Sequence, residues 1–222
     1  MRANDRIKHL ISLEDPKSPI TEAYRTLRTN IQFASANKKV KTLLITSAEP
    51  NEGKTTTILN LAVVMAQSGQ RVLLVDADMR KPTLHFPFPV QNQVGLSNLL
   101  IGQVGIEDVI QEIGQAGLHL ITAGHVPPNP AELLESQRMN QLLEEVRDRF
   151  DMILFDSPPI LLVTDAQVLS SLMDGVLLVI SSGNVLGEQV AKAKNLIEHV
   201  GGHIIGTVLN RKKIPNRGYY YT

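Results

Sequence analysis

The apolar run TLLITS, residues 42–47, passes directly into AEPNEGKTTT and then into a helical pattern. A strand, a glycine-bearing loop and a helix opening on Lys-Thr form the order of a phosphate-binding loop. Successive backbone N–H groups curl around phosphates, Lys54 reaches the β and γ phosphates, and the Thr55 hydroxyl reaches Mg2+. The positive end of the helix dipole adds to the attraction. Against the pattern GxxxxGK[ST], Gly53 supplies the second glycine, Ala48 replaces the first, and Asn51 lies inside the loop. The candidate nucleotide contacts are therefore Ala48, Glu49, Pro50, Asn51, Glu52, Gly53, Lys54, Thr55 and Thr56. Glu49 and Glu52 make the loop acidic, which predicts firm retention of a metal ion.

Short runs rich in Val, Ile and Leu alternate with longer helical patterns, the rhythm of a parallel sheet covered on both faces. The spacing predicts strands near Thr42–Ser47, Arg71–Asp76, Leu118–Thr122, Met152–Asp156, Gly175–Ser181 and His203–Asn210. Helices are predicted near Thr55–Ser68, Ile106–Ile113, Ala131–Arg149, Thr164–Met173 and Gly187–Val200, with Gly69 and Gly201 at helix C-termini. Ser18-Pro19 reads as an N-cap and first-turn proline opening a helix through about Phe33. The proline-bearing stretches Lys81–Asn92 and Gly124–Pro130 read as loops. The expected fold is α/β, a P-loop NTPase-like, doubly wound, mainly parallel sheet with helices on both faces. In such a sheet the strands deliver their carboxyl ends to one edge. Asp76 and Asp78 after RVLLV and Asp156 after DMILF are therefore expected to converge on the P-loop. A bound triphosphate needs Mg2+, which takes a few carboxylates, a hydroxyl and retained water.

The chain of 222 residues is long enough for one such domain. Its formal net charge is zero, so no bulk attraction to nucleic acid follows. Residues 1–41 nevertheless carry +5, residues 42–210 carry −9 and residues 211–222 carry +4. The absence of cysteine removes disulfides, thiolate-bound zinc and thiol nucleophiles, and the six histidines lack ligand spacing. With no long apolar run and no signal-peptide core at its start, the chain is expected in the cytoplasm. Three of its four tyrosines, Tyr219, Tyr220 and Tyr221, cluster in RKKIPNRGYYYT, which is too polar and short to pack. The expected organisation is a single domain over 1–210, with an N-terminal helix at 18–33, and a flexible tail over 211–222.

AEPNEGKTT, LLVDADMR and ILFDSPP resemble the Walker A, A′ and B motifs of the bacterial tyrosine kinases, and the likeness extends to EAYRTLRTNI, NPAELL and the tyrosine tail. It resembles the free-standing cytosolic form of that family. The resemblance implies ATP and Mg2+ as cofactors, with Lys54 on the phosphates and Thr55, Asp78 and Asp156 at the metal. Asp76 is implied as catalytic base or metal-shell residue. On position Asp76, which ends the strand beside the P-loop, is the expected acceptor of the phenol proton, with Asp78 as the runner-up because sequence does not fix which of the two points inward. Asn210 and Arg211 stand where the wider ATPase superfamily contacts adenine. Glu22, Arg25 and Arg28, three apart on one helical face, match the family's ring contact, with Tyr24, Leu27 and Ile31 on another face. The implied partners are further copies in a ring-like homo-oligomer, a membrane activator of the chain-length-determinant type acting through its cytosolic tail, a cognate tyrosine phosphatase and other protein substrates. The activator would recruit the chain to the inner face of the plasma membrane.

The activity expected is autophosphorylation of Tyr219, Tyr220 and Tyr221 in trans, regulating capsular or extracellular polysaccharide synthesis and export. Each phosphate adds about −1.5 to −2 charges, so a tail first drawn to an acidic body would afterwards be repelled. A MinD/ParA-like ATPase switch is the alternative, disfavoured because Ser-Ala-Glu-Pro at 47–50 lacks that group's extra lysine. A nucleotide-dependent scaffold with a docking tail is a third reading.

Overall fold

The computed structural model describes residues 10–34 and 40–212. Seven strands form one sheet in the order β3-β4-β2-β5-β1-β6-β7. They are β1 (Thr42–Ser47), β2 (Val72–Asp76), β3 (Gln111–Glu112), β4 (Leu118–Ile121), β5 (Met152–Asp156), β6 (Gly175–Ser181) and β7 (Ile204–Asn210). All pairings are parallel except that of the edge strand β3 with β4. The six strands expected from the apolar runs are all present, within one residue at either end. Their continuous hydrophobicity has a direct cause, because neighbouring residues serve opposite cores. Leu43 and Ile45 point into the layer containing α3 (Lys54–Gln67), whereas Leu44 points to the opposite face. Leu74 and Leu73 divide in the same way in β2.

One face carries α1 (Ile11–Glu14), α2 (Pro19–Ala34) and α3. The other carries α4 (Leu96–Leu100), α5 (Pro130–Leu134), α6 (Gln137–Arg149), α7 (Asp165–Leu172) and α8 (Gly187–His199). Ser18 Oγ accepts from the Thr21 N–H at 3.1 Å, the N-cap expected ahead of Pro19. Gly69 and Gly201 end their helices at φ of 87° and 79°, where a side chain would be strained.

Two helical expectations are corrected. Residues 106–113 form a single 3-10 turn at Ile106–Asp108 and then β3. Asp108 caps the Gly105 N–H, and beyond that turn Gln111 and Glu112 pair antiparallel with Leu120 and His119 of β4 instead of continuing a helix. Residues 131–149 are two helices, α5 and α6, because Ser136 leaves helical geometry and caps the second. The short α1 and α4 carry too little periodicity to be foreseen. Of the expected tail, Arg211 and Lys212 are described; Tyr219, Tyr220 and Tyr221 lie outside the described residues. Among the described residues no helix is long and apolar enough to cross a membrane.

Candidate nucleotide site

The carboxyl ends of β1, β2 and β5 meet at one edge, with Asp76 in register opposite Asp156. Between β1 and α3 the loop reverses through two left-handed residues, Asn51 (φ 61°) and Gly53 (φ 97°). Asparagine tolerates that conformation better than most residues other than glycine. Gly53 has a second requirement, since a Cβ there would lie 2.0 Å from Asn210 Nδ2.

A cavity of about 410 Å3 opens over this loop. Of the residues expected to contact nucleotide, Pro50, Asn51, Gly53, Lys54, Thr55, Thr56 and Arg211 line it. Ala48 is packed into the core beneath. Glu52 does not line the cavity, and its charge acts on Lys54 from beneath the loop. It is buried, with Oε1 accepting from the Glu49 N–H at 2.6 Å and Oε2 from the Ser181 N–H at 2.9 Å. It therefore ties the P-loop to the end of β6. Asn210 is similarly engaged within the protein. Its Nδ2 donates to the Glu52 carbonyl at 2.8 Å and its Oδ1 accepts from the Arg211 N–H at 2.8 Å. Both ends of the amide that the sequence offered to adenine are thus taken, while Arg211 faces the cavity.

Lys54 is buried and donates to Ser47 Oγ at 3.1 Å. Burial lowers its pKa, against the pull of Asp156, Asp78 and Glu52. The Thr55 hydroxyl donates to Asp156 Oδ2 at 2.9 Å and lies 3.3 Å from Thr83 Oγ1. Asp76 is wholly buried, and its Oδ2 accepts the backbone N–H groups of Thr83 and Leu84, each at 2.9 Å. The Oδ1 atoms of Asp76 and Asp156 are both buried without a hydrogen-bond partner. Burial, reinforced by Asp156, pushes the Asp76 carboxyl well above its ordinary range. Burial likewise raises Asp156 to about 7, in spite of Lys54 and Thr55. Asp78 differs from both in lining the cavity. Burial raises it too, while the Lys81 N–H, 3.0 Å from its Oδ1, and Lys54 pull it down.

Two orphaned carboxylate oxygens beside a threonine hydroxyl fit a hard divalent cation. Among the described residues no three His, Cys, Asp or Glu side chains are grouped to hold a metal by themselves. A cation here would therefore be completed by phosphate oxygens and water, as Mg2+ prefers. Sequence reasoning overlooked Thr83, the Arg80–Asp165 ion pair and the cavity-lining run Pro158, Pro159, Leu162 and Val163. The cue was present in MRKPT and SPPILLVTD, the stretches that follow the two acidic strand ends.

Fold and loop together define a P-loop nucleotide-binding domain. The model of an AAA domain family matches residues 27–204. Tyrosine-protein kinase YwqD of Bacillus subtilis is 47% identical over 218 residues, covering 97% of this chain and 92% of that protein. Tyrosine-protein kinase etk of Escherichia coli K12 is 41% identical over 200 residues, 90% of this chain but 28% of that longer protein. The crystal structure of the chimerical protein CapA2B2 superposes with a TM-score of 0.89 at 41% identity, covering 93% of this chain and 91% of that one. The chain belongs to the bacterial tyrosine-kinase family of P-loop enzymes.

Proposed function

We propose that the chain transfers the γ-phosphoryl group of ATP, with Mg2+, to tyrosine hydroxyls, first those of Tyr219, Tyr220 and Tyr221 on a neighbouring copy. The observation that carries this reading is that Lys54, Thr55 and Asp78 line one cavity with Arg211, from which the tyrosine-bearing sequence continues. Asp78 accepts the phenol proton, the phenolate oxygen bonds to the γ-phosphorus, and the bond to the bridging oxygen breaks as ADP leaves. Deprotonation matters because a free phenol has a pKa near 10. Lys54 and the loop N–H groups stabilise the transferring group. Thr55 and Asp156 would hold the metal, which when bound would neutralise charge developing on the phosphates. Asp76 fixes the loop carrying Thr83 and completes the acidic pair with Asp156.

The experiment is intact-mass measurement after incubation with Mg2+ and ATP. Phosphate is expected on the last six residues, lost in Lys54→Met; hydrolysis without that gain would favour an ATPase switch. Repeating it with the cytosolic segment of a membrane activator tests the proposed partner, and with it the proposed link to capsular or extracellular polysaccharide.

Assembly is proposed to use α2 in a ring-like homo-oligomer. Arg25 pairs with Glu22 on an exposed turn. Arg28 is drawn instead to its own protomer, where Nη1 donates to the Val64 carbonyl of α3 at 2.9 Å. That contact bears on α2 docking, so Arg25→Glu is the cleaner test. Monomers are expected by light scattering with thermal stability within about 1 kcal/mol, the range of a surface pair; an unchanged mass would remove Arg25 from the interface.

A further inference from the structure

We propose that Pro158, Pro159, Leu162 and Val163 form the subsite for the aromatic ring of the acceptor tyrosine, a proposal that rests on the kinase reading above. All four line the cavity that holds Lys54, Thr55 and Asp78. Leu162 is 61% exposed, so its apolar side chain contributes little to the core. The backbone that presents it is fixed from both ends. Ser157 Oγ donates to the Ile45 carbonyl at 3.1 Å, Thr46 Oγ1 to the Pro158 carbonyl at 3.1 Å, and the Ile160 N–H to the Ser47 carbonyl at 2.9 Å. Ile160 is wholly buried. Beyond Val163, the fully buried Asp165 takes a two-pronged contact from Arg80, at 2.9 and 3.0 Å. An outward leucine on so constrained a segment faces something other than its own fold.

The sheet order says which part of the reaction it faces. The P-loop follows β1; the apolar wall follows β5 and Asp78 follows β2, both on one side of it. Arg211 follows β7, on the other side. A nucleotide on the loop with its base toward β7 leaves the β2–β5 side for the acceptor. A phenol ring against proline and aliphatic side chains loses apolar surface to water while its hydroxyl turns toward Asp78. A serine or threonine side chain has no ring to fill the wall, so the same surface supplies selectivity for tyrosine. Arg80 and Lys81, at the same cavity, suit the charge of the phosphorylated product. The chosen occupant is a tyrosine of a second copy, because the sequence after Arg211 carries its own acceptors.

The test uses the full chain and two peptides copying residues 217–222, one with a single tyrosine and two phenylalanines, the other with phenylalanine in place of all three tyrosines. Leu162→Asp is expected to raise KM for the tyrosine peptide at least tenfold, with the loss carried by KM rather than kcat. Nucleotide affinity stays within twofold, and Leu162→Met restores the peptide KM. An unchanged peptide KM overturns the proposal, and a tenfold loss of nucleotide affinity reassigns the wall to the base. If the wild-type chain phosphorylates neither peptide nor itself, the kinase reading fails. The wall is then judged by binding of the all-phenylalanine peptide in the presence of a non-hydrolysable ATP analogue. Tenfold weakening in Leu162→Asp upholds an aromatic subsite; equal binding rejects it.

Discussion

Asp78→Asn is expected to lower phosphoryl transfer by about 10²–10⁴, the usual contribution of a general base, while nucleotide affinity changes by less than about fivefold. The position of Asp78 at the cavity motivates this, together with the burial that lifts its carboxyl toward a more useful basicity. Asp76→Asn should behave differently. Its Oδ2 holds the backbone of Thr83 and Leu84, and its Oδ1 belongs to the buried pair with Asp156. An amide can keep one acceptor oxygen toward those N–H groups but loses the charge, so the metal dependence of nucleotide affinity should fall first. Single-turnover transfer, read by intact mass, and equilibrium nucleotide titration with and without Mg2+ separate the two. If Asp76→Asn abolished transfer with unaltered Mg2+-dependent binding, while Asp78→Asn remained active, the base would be Asp76.

The strands β1, β2, β5 and β6 were legible because each is buried on both faces, which leaves an uninterrupted apolar run, whereas β7 is only partly buried and was legible from its apolar composition alone. The phosphate loop was legible because its chemistry needs glycine and lysine at fixed spacing. Orientation within the site was less so. Glu52 and Asp78 are both acidic residues at the right edge, yet Glu52 turns inward to accept two backbone N–H groups and Asp78 turns outward. That choice depends on Ser181, 129 positions away, and no local pattern carries it. Asn210 shows the same limit, since its partner is the Glu52 carbonyl. The break at Ser136 lies at the other extreme: a serine cap inside a periodic run was a local cue, outweighed by the length of the helical pattern on either side.

Asp156→Asn is expected to make the nucleotide-free protein more stable at pH 8 and to remove most of the stabilisation that Mg2+ and ATP provide. The carboxyl is raised from 3.8 to about 7 in the fold. Between those values the native state therefore holds a proton that the unfolded chain has released. The associated stability is complete below about pH 4 and is lost as pH rises through about 7. At pH 8 the wild-type fold carries the buried charge at a cost of roughly 2–4 kcal/mol. Asparagine keeps an oxygen for the Thr55 hydroxyl, removes that cost and relieves the repulsion that lifts Asp76. With about 2–4 °C per kcal/mol for a chain of this size, the apo melting temperature should rise by roughly 5–10 °C at pH 8 and much less at pH 4.5. The wild-type protein should release protons on binding Mg2+ and ATP near pH 6.5, because a cation beside Thr55 favours the ionised carboxylate. Calorimetry in buffers of different ionisation enthalpy measures that release, and Asp156→Asn should diminish it. Equal melting temperatures for variant and wild type at pH 8 would show that the fold does not hold this carboxylate at a cost. The same instability that weakens the empty protein is then the source of its response to the filled site, since a bound cation offsets the cost of ionising the buried Asp156.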